Sequence, residues 1–215
     1  MCLIALSVEK SKDWSGKDSY FYKIIANRDE YHERPTSGMK WWSNNIVIAG
    51  RDEEAGGTWL GVSKEGKFGA ITNLKEETDI KYSNSRGSLV TEFLEPQLSA
   101  KSYLEALEPN KENYAGFNLI IGDKSGLFYL CNRLEGIFFI SEGIHALVNL
   151  TLNSSTKKIE SIKNDFNQIL HEGFVIDKGL HIMRKEYGNL HEKTKKELQV
   201  RDGEEIPFRF IRSPI

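Results

Sequence analysis

The stretch MCLIALSV, Met1 to Val8, decides how this chain is read. It is short and apolar, as a buried strand is, and its second residue is a cysteine. Free cysteine is among the most buried residue types, so one reading of Cys2 is a small apolar strand residue. The other reading is chemical. An initiator Met is readily removed when residue two is small, and Cys2 would then carry a thiol and a free α-amine together. A thiol with an ordinary pKa of ~8.5 is partly ionised at neutral pH, and an α-amine near ~7.7–8.0 can accept its proton. Cys2 is therefore a candidate nucleophile with its own base attached.

The rest of the composition narrows the class. The 215 residues are expected to form a single domain, 1–215, and 39% are apolar, enough for a real core. A net charge of -2 offers no broad electrostatic handle for nucleic acid or an anionic membrane. No apolar run approaches the roughly 20 residues of a membrane span. The opening lacks a basic n-region and soon meets Glu9, Lys10, Lys12 and Asp13, so it is not read as a signal peptide. With two cysteines, Cys2 and Cys131, no disulfide framework is expected, which favours a reducing, cytoplasmic setting. His32, His145, His171, His181 and His191 show no metal-ligand spacing, so no metal site is expected.

Outward from the first strand, the order is strands, helices, strands, helices. Tyr20 to Ala26, Ile46 to Gly50, Thr58 to Ser63 and Lys67 to Thr72 read as strands, with Lys64-Glu65-Gly66 a hairpin turn. Leu89, Val90, Phe93 and Leu94 lie at helical spacing before Pro96, and a short helix is expected from Ala100 to Leu107. Gly116 to Asp123, Gly126 to Asn132, Gly136 to Ser141 and His145 to Asn149 return to strand pattern. Ile159, Ile162, Phe166 and Ile169 make one helical stripe, and Ile176, Leu180 and Met183 another. Residues 191–200 fit a third helix or an exposed connection. Adjacent hairpin-like strands imply antiparallel sheets, and segregated helices imply an α+β arrangement with the helices outside.

Several strand ends carry polar residues. Tyr20 to Ala26 pairs naturally with the first strand, which brings Asn27, Arg28, Asp29 and Glu30 toward Cys2. An Arg there stabilises a thiolate, and an Asp holds an N-terminal ammonium. The plain alternative is a solvated turn. Asn73 and Asn149 each end an apolar strand; an amide at such a place either closes a turn or donates to a developing oxyanion. Trp59 reads as a core anchor or a ligand contact, and Trp41-Trp42 as a surface patch or a pocket wall.

Taken together, MCLI, ANRDE (Ala26 to Glu30), the following Arg34-Pro35, GGTWLG (Gly56 to Gly61), AITN (Ala70 to Asn73) and VNLTLN (Val148 to Asn153) resemble the NRDE family, also called the Transport and Golgi organization protein two family. The resemblance implies an N-terminal-nucleophile hydrolase fold: a four-layer αββα sandwich of two antiparallel sheets with outer helices. It also implies kinship with the cysteine amidases, such as choloylglycine hydrolases and penicillin V acylases. By position, Cys2 matches the nucleophile, Asp29 the group that holds the α-amine, Asn73 the oxyanion amide and Asn149 the second Asn. Arg28 departs from the amidase spacing, in which the Arg precedes the Asp by three residues; that position here is Ala26. Family chains continue past a segment like Ile211-Arg212-Ser213-Pro214 into a YGTR block and further strands, whereas this sequence closes at Ile215. C-terminal strands are therefore expected to be missing, with an exposed sheet edge open to oligomerisation.

The resemblance implies two functions. One is an amidohydrolase acting on a non-peptide C–N bond of a small-molecule amide, with no cofactor required. The other is a non-catalytic binding or trafficking protein, linked to haem or lipid mobilisation and to Golgi organisation and secretion. There Asn27, Trp41, Trp42 and Trp59 line an apolar pocket, and haem is a ligand.

Overall fold

The computed structural model describes residues 2–12, 15–28, 30, 33–74, 76, 80 and 82–184. Met1, Asp29 and the expected element at 191–200 lie outside the described residues. The elements run β1 (Leu3–Lys12), β2 (Asp18–Asn27), β3 (Thr36–Trp41), β4 (Val47–Asp52), β5 (Leu60–Ser63), β6 (Phe68–Asn73), α1 (Arg86–Leu94), α2 (Ala100–Leu107), a 3-10 turn (Glu108–Asn113), β7 (Phe117–Asp123), β8 (Gly126–Cys131), β9 (Phe138–Ile140), β10 (Gly143–Leu147), α3 (Lys157–His171) and α4 (Ile176–Arg184).

Two antiparallel sheets result. One has the order β10-β1-β2, the other β3-β4-β5-β6-β7-β8-β9. Strand alternation assigns the faces. Ile4, Leu6 and Val8 of β1 meet Ala70, Ile120, Leu127 and Tyr129 of the larger sheet in the central core. Leu3 and Ala5 point the other way, onto Ile159, Ile162, Phe166 and Ile169 of α3. On the far face of the larger sheet, Leu119, Ile121 and Leu130 receive Leu89, Val90, Phe93 and Leu94 of α1 and Leu104 of α2. β1 is thus apolar on both faces because it is central to the small sheet and covered on both sides, which is why MCLIALSV shows no alternation. The layers are αββα, as expected.

Local signals explain the element ends. Gly66, at φ +80°, closes the β5–β6 hairpin, where Ser63 N donates to Lys67 O at 2.9 Å. Thr156 caps α3, its side chain accepting from Ile159 N, and Ser99 caps α2 in the same way. α1 stops at Leu94, before Pro96.

Two elements differ from the sequence-based expectation. β3 has no counterpart there; TSGMKW has a central glycine and no clean alternation, and only pairing with β4 makes it a strand. The α4 stripe is also rotated. Ile176 is 63% exposed, and Ile182 is buried instead. Gly179 sets that rotation: a Cβ there would lie 2.9 Å from Ile25 Cγ2, so the glycine lets α4 seat directly on β2. Among the described residues, β2 and β10 are the edges of the small sheet.

Phe166 tests the outer α3 layer. It is fully buried and edge-on to Phe174. Phe166→Ala is expected to cost ~3–5 kcal/mol. Urea unfolding followed by circular dichroism measures it; a loss under ~1 kcal/mol would mean that the layer packs loosely.

Candidate active site

Antiparallel register gathers one set of strand ends at one end of the sandwich. β1 begins there, and Leu3 stands opposite Asn27, the last residue of β2. Ile4 stands opposite Leu147 at the end of β10, which puts Asn149 beside Cys2. β6 ends there at Asn73, opposite Phe117 at the start of β7. β3 begins and β4 ends there, with Thr36 opposite Asp52. The polar residues that end these strands are thus neighbours by construction.

The closest-knit part is a three-residue relay. Cys2 N donates to Asn149 Oδ1 at 3.0 Å, and Asn149 Nδ2 donates to the backbone carbonyl of Asn73 at 2.8 Å. A single side-chain amide therefore ties the start of β1 in the small sheet to the end of β6 in the large one. Asn73 takes part through its carbonyl; its side chain is exposed, and Phe117 opposite it faces α1 and α2.

A buried network fixes the segment carrying Asn149. Asn118 Nδ2 donates to Leu150 O at 2.9 Å and to Thr72 Oγ1 at 3.2 Å, and Tyr129 donates its hydroxyl to Asn118 Oδ1 at 2.7 Å. Leu152 N donates back to Tyr129 at 3.3 Å, and Thr72 Oγ1 reaches Val148 O at 3.4 Å. Burial pushes the Tyr129 phenol well above its ordinary pKa, so it stays a donor. From the other side, Asn153, at φ +58°, exchanges backbone and side-chain bonds with Ala146 of β10. The VNLTLN block is thus a loop pinned at alternate residues, with Asn149 held over Cys2.

Arg28 sits in an ion cluster. Its guanidinium meets Glu30 at 2.8 Å, Asp52 at 3.1 Å and Thr36 Oγ1 at 3.3 Å, and its side chain is 12% exposed. Arg34 Nε meets the same Asp52 oxygen at 2.7 Å. Burial works to raise the Asp52 carboxyl, but it is outweighed by the Arg34 and Ala55 hydrogen bonds and the charges of Arg34 and Arg28, which hold it below the ordinary value. Its hydrogen bond to Asp52 likewise raises Arg34. Asp52 also organises the β4–β5 loop, its Oδ1 accepting from Ala55 N at 3.0 Å and Glu54 N at 3.2 Å.

That loop explains GGTWLG. A Cβ at Gly57 would lie 2.6 Å from the carbonyl carbon of Gly87, and Thr58 N reaches Gly87 O at 3.4 Å. Gly57 and Gly87 let the first turn of α1 lie against the loop backbone. The preceding residue, Arg86, is brought to the site by this contact. Its Nη1 donates to Gly116 O at 3.0 Å. Arg86 is not among the residues that the sequence singles out; an arginine just before a glycine and an apolar helical stripe is the one signal it offers.

The tryptophans separate. Trp59 lies at the site end and packs against both the central and the α1-side cores. Trp41 lies at the opposite end of β3 and is 50% exposed, while Trp42 packs against the α1-side core with Arg51 over its ring. Trp41 stands a strand length from the Thr36 end of β3, while the Trp42 ring reaches back along β4, its Nε1 donating to Ala49 O at 3.2 Å. Asn27 lies beside Leu3, as its register requires. Among the described residues, no group of three or more His, Cys, Asp or Glu is placed to hold a metal, and no helix is long and apolar enough to cross a membrane.

Two face-to-face antiparallel sheets, helices on both outer faces and a cysteine opening the central strand define an N-terminal-nucleophile hydrolase fold. A solved structure agrees in fold: the Caenorhabditis elegans N-acylethanolamine-hydrolyzing acid amidase ortholog, with a TM-score of 0.55 at 12% identity over 88% of this chain and 89% of that one. The sequence is more specific. Residues 1–212 match the model of the Transport and Golgi organisation 2 family, and the chain belongs to it. It is 32% identical over 188 residues to the Mus musculus Transport and Golgi organization 2 homolog, covering 83% of this chain and 67% of the mouse protein. The Homo sapiens homolog is 34% identical over 169 residues, covering 74% of this chain and 60% of the human protein. The match thus spans about two thirds of the length of these relatives.

Asp52→Asn tests the ion cluster, since Asn keeps the loop acceptor and removes the charge. Asp52 has a depressed folded pKa, so the unfolded state binds more protons. Its contribution is full above the ordinary ~3.9 and is lost as pH falls through the folded value. The variant is therefore expected to melt below wild type at about pH 7, with the gap closing toward about pH 3. Equal melting temperatures at both pH values would show that the cluster contributes nothing to stability.

Proposed function

We propose that this chain is a cysteine amidohydrolase acting on a non-peptide amide, with Cys2 as nucleophile after removal of Met1. The observation that carries this reading is the hydrogen bond from Cys2 N to Asn149 Oδ1. Once Met1 is gone, that nitrogen is a primary amine with one lone pair. A hydrogen bond into Asn149 restricts rotation about its bond to Cα, and the thiol is the nearest acid by covalent connection for the lone pair to take a proton from.

The chemistry then follows in order. The amine takes the thiol proton, and the thiolate attacks the amide carbonyl carbon. The tetrahedral oxyanion is held by donors at the strand ends, with the exposed Asn73 amide the candidate. The C–N bond breaks, the leaving nitrogen takes the proton from the ammonium, and a thioester remains on Cys2. Water, activated by the same amine, cleaves the thioester to a carboxylic acid and restores the thiol. Asp29, two residues after the end of β2, is proposed to hold the ammonium. Arg28 takes a structural part, since two carboxylates already share its charge. N-acylethanolamines are the first substrates to test, because the structural neighbour's own description is that of an N-acylethanolamine-hydrolysing amidase.

The second reading is ligand carriage without turnover, for haem or a lipid, in the secretory pathway. The relatives' names speak of Golgi organisation and of no reaction, which is what supports a non-catalytic role. Cys2 and Trp59 then contact the ligand.

Cys2→Ala separates the two. Turnover of an amide panel is expected to vanish while the melting temperature stays near wild type, and wild type is expected to carry an acyl mass adduct on the Cys2 peptide. Unchanged turnover in Cys2→Ala sinks the hydrolase reading. A haem titration with no spectral shift at micromolar ligand counts against the haem version of carriage.

A further inference from the structure

We propose that His145 and Asn153 form a proton-sensitive latch that positions the loop carrying Asn149. The inference deepens the amidohydrolase reading, and its consequence for turnover rests on that reading. The loop leaves β10 after Leu147 and is closed at Asn153 by a reciprocal pair: Asn153 N donates to Ala146 O at 2.9 Å, and Asn153 Oδ1 accepts from Ala146 N at 3.1 Å. This pair ties the loop to the small sheet, just as the bonds of Asn118, Tyr129 and Thr72 tie it to the large one. Asn149 lies between the two anchors, on Cys2 N. Of the two latch side chains, His145 is the one whose charge changes near neutral pH.

The contacts dictate the protonation state of His145. A backbone N–H only donates, so Asn153 must turn Oδ1 toward Ala146 N, and its Nδ2 then points at His145 Nδ1, 3.0 Å away. An amide NH2 only donates, so Nδ1 is the bare, accepting nitrogen. Nε2 faces Ser141 O at 2.9 Å, and a carbonyl only accepts, so Nε2 carries the hydrogen. The ring is thereby committed to the neutral Nε2–H tautomer. A second proton would set two donors face to face at Nδ1. Turning the Asn153 amide over would relieve that contact but present its NH2 to Ala146 N, so one bond is lost either way. Lys163 of α3 reaches Asn153 Oδ1 at 3.5 Å and works against a charge on the ring. Leu6 of β1 stands opposite His145, and Glu142 of the preceding turn is engaged with Lys10 N. Burial outweighs the Ser141 bond and holds the ring below its ordinary pKa. The folded value thus lies under the unfolded one. The latch is whole above the ordinary ~6.5 and is released as pH falls through the folded value.

Nitrogen-15 NMR of the folded chain, with Met1 removed, reads the latch directly. Wild type is expected to hold His145 as the Nε2–H tautomer at neutral pH and to titrate it below ~6.5. The side-chain NH2 resonance of Asn149 is expected to shift with the same midpoint. His145→Gln should abolish that step. Asn153→Asp keeps the acceptor for Ala146 N, tolerates the positive φ, and puts a carboxylate oxygen on Nδ1. It should therefore raise the His145 midpoint above ~6.5 and reverse the pH response of the latch. Amide turnover in wild type should fall as pH drops through the His145 midpoint, and His145→Gln should lack that fall. An Nδ1–H tautomer in wild type, or a midpoint at or above the ordinary value, overturns the latch. An Asn149 resonance that stays still while His145 titrates overturns its link to the site. The NMR readings need no turnover, so a hydrolase reading sunk by Cys2→Ala would leave the latch standing. If a variant unfolds, the wild-type tautomer and the shared midpoint decide alone.

Discussion

The side-chain amide of Asn149 is the interaction on which the site depends. It accepts from Cys2 N and donates to Asn73 O, so it joins the opening strand of one sheet to a closing strand of the other. Two packed sheets slide and twist relative to one another unless something registers them. Apolar packing of Ile4 and Leu6 on Ala70 and Ile120 is non-directional and does not by itself orient polar atoms at the strand ends. A bridging amide removes that freedom at the atom where chemistry is proposed. Asn149 is in turn held by Asn118, Tyr129 and Thr72 in the central core, so the precision is inherited from buried groups whose bonds are costly to leave unmade.

The same end of the sandwich shows how the other sequence blocks serve the site. Asp52 closes a loop and takes two arginines. The loop presents Gly57, Gly57 admits Gly87, and Gly87 carries Arg86 inward. GGTWLG and the start of α1 are therefore one device, although they lie far apart in sequence.

Much of this architecture is legible in the amino-acid sequence. The strand and helix order follows from periodicity, and the β1–β2 hairpin alone places Asn27 and Arg28 near Cys2. The antiparallel αββα layering enters through the family resemblance, and the structure adds that β1 is apolar on both faces because it is covered on both sides. Other features are not legible, for definable reasons. β3 has no pattern of its own and exists by pairing. The α4 rotation is decided by one glycine against Ile25, a tertiary contact. Arg86 and the Asn118–Tyr129 pair are brought to the site by register across strands, and no local window contains their partners. The position of Trp41 at the far end of β3 is likewise set by pairing with β4 and not by the local sequence.

The central claim is that Cys2 presents an amine and a thiol together. The most direct measurement is intact mass of the chain made in cells, followed by reaction of the folded protein with an aldehyde. A 1,2-aminothiol closes to a thiazolidine with loss of water; an internal cysteine does not. A mass lower by one methionine residue, and a thiazolidine mapped to Cys2, is the outcome expected here. Met1 retained on the folded protein would contradict the claim, because the nitrogen held by Asn149 would then be an amide with no lone pair to act as a base.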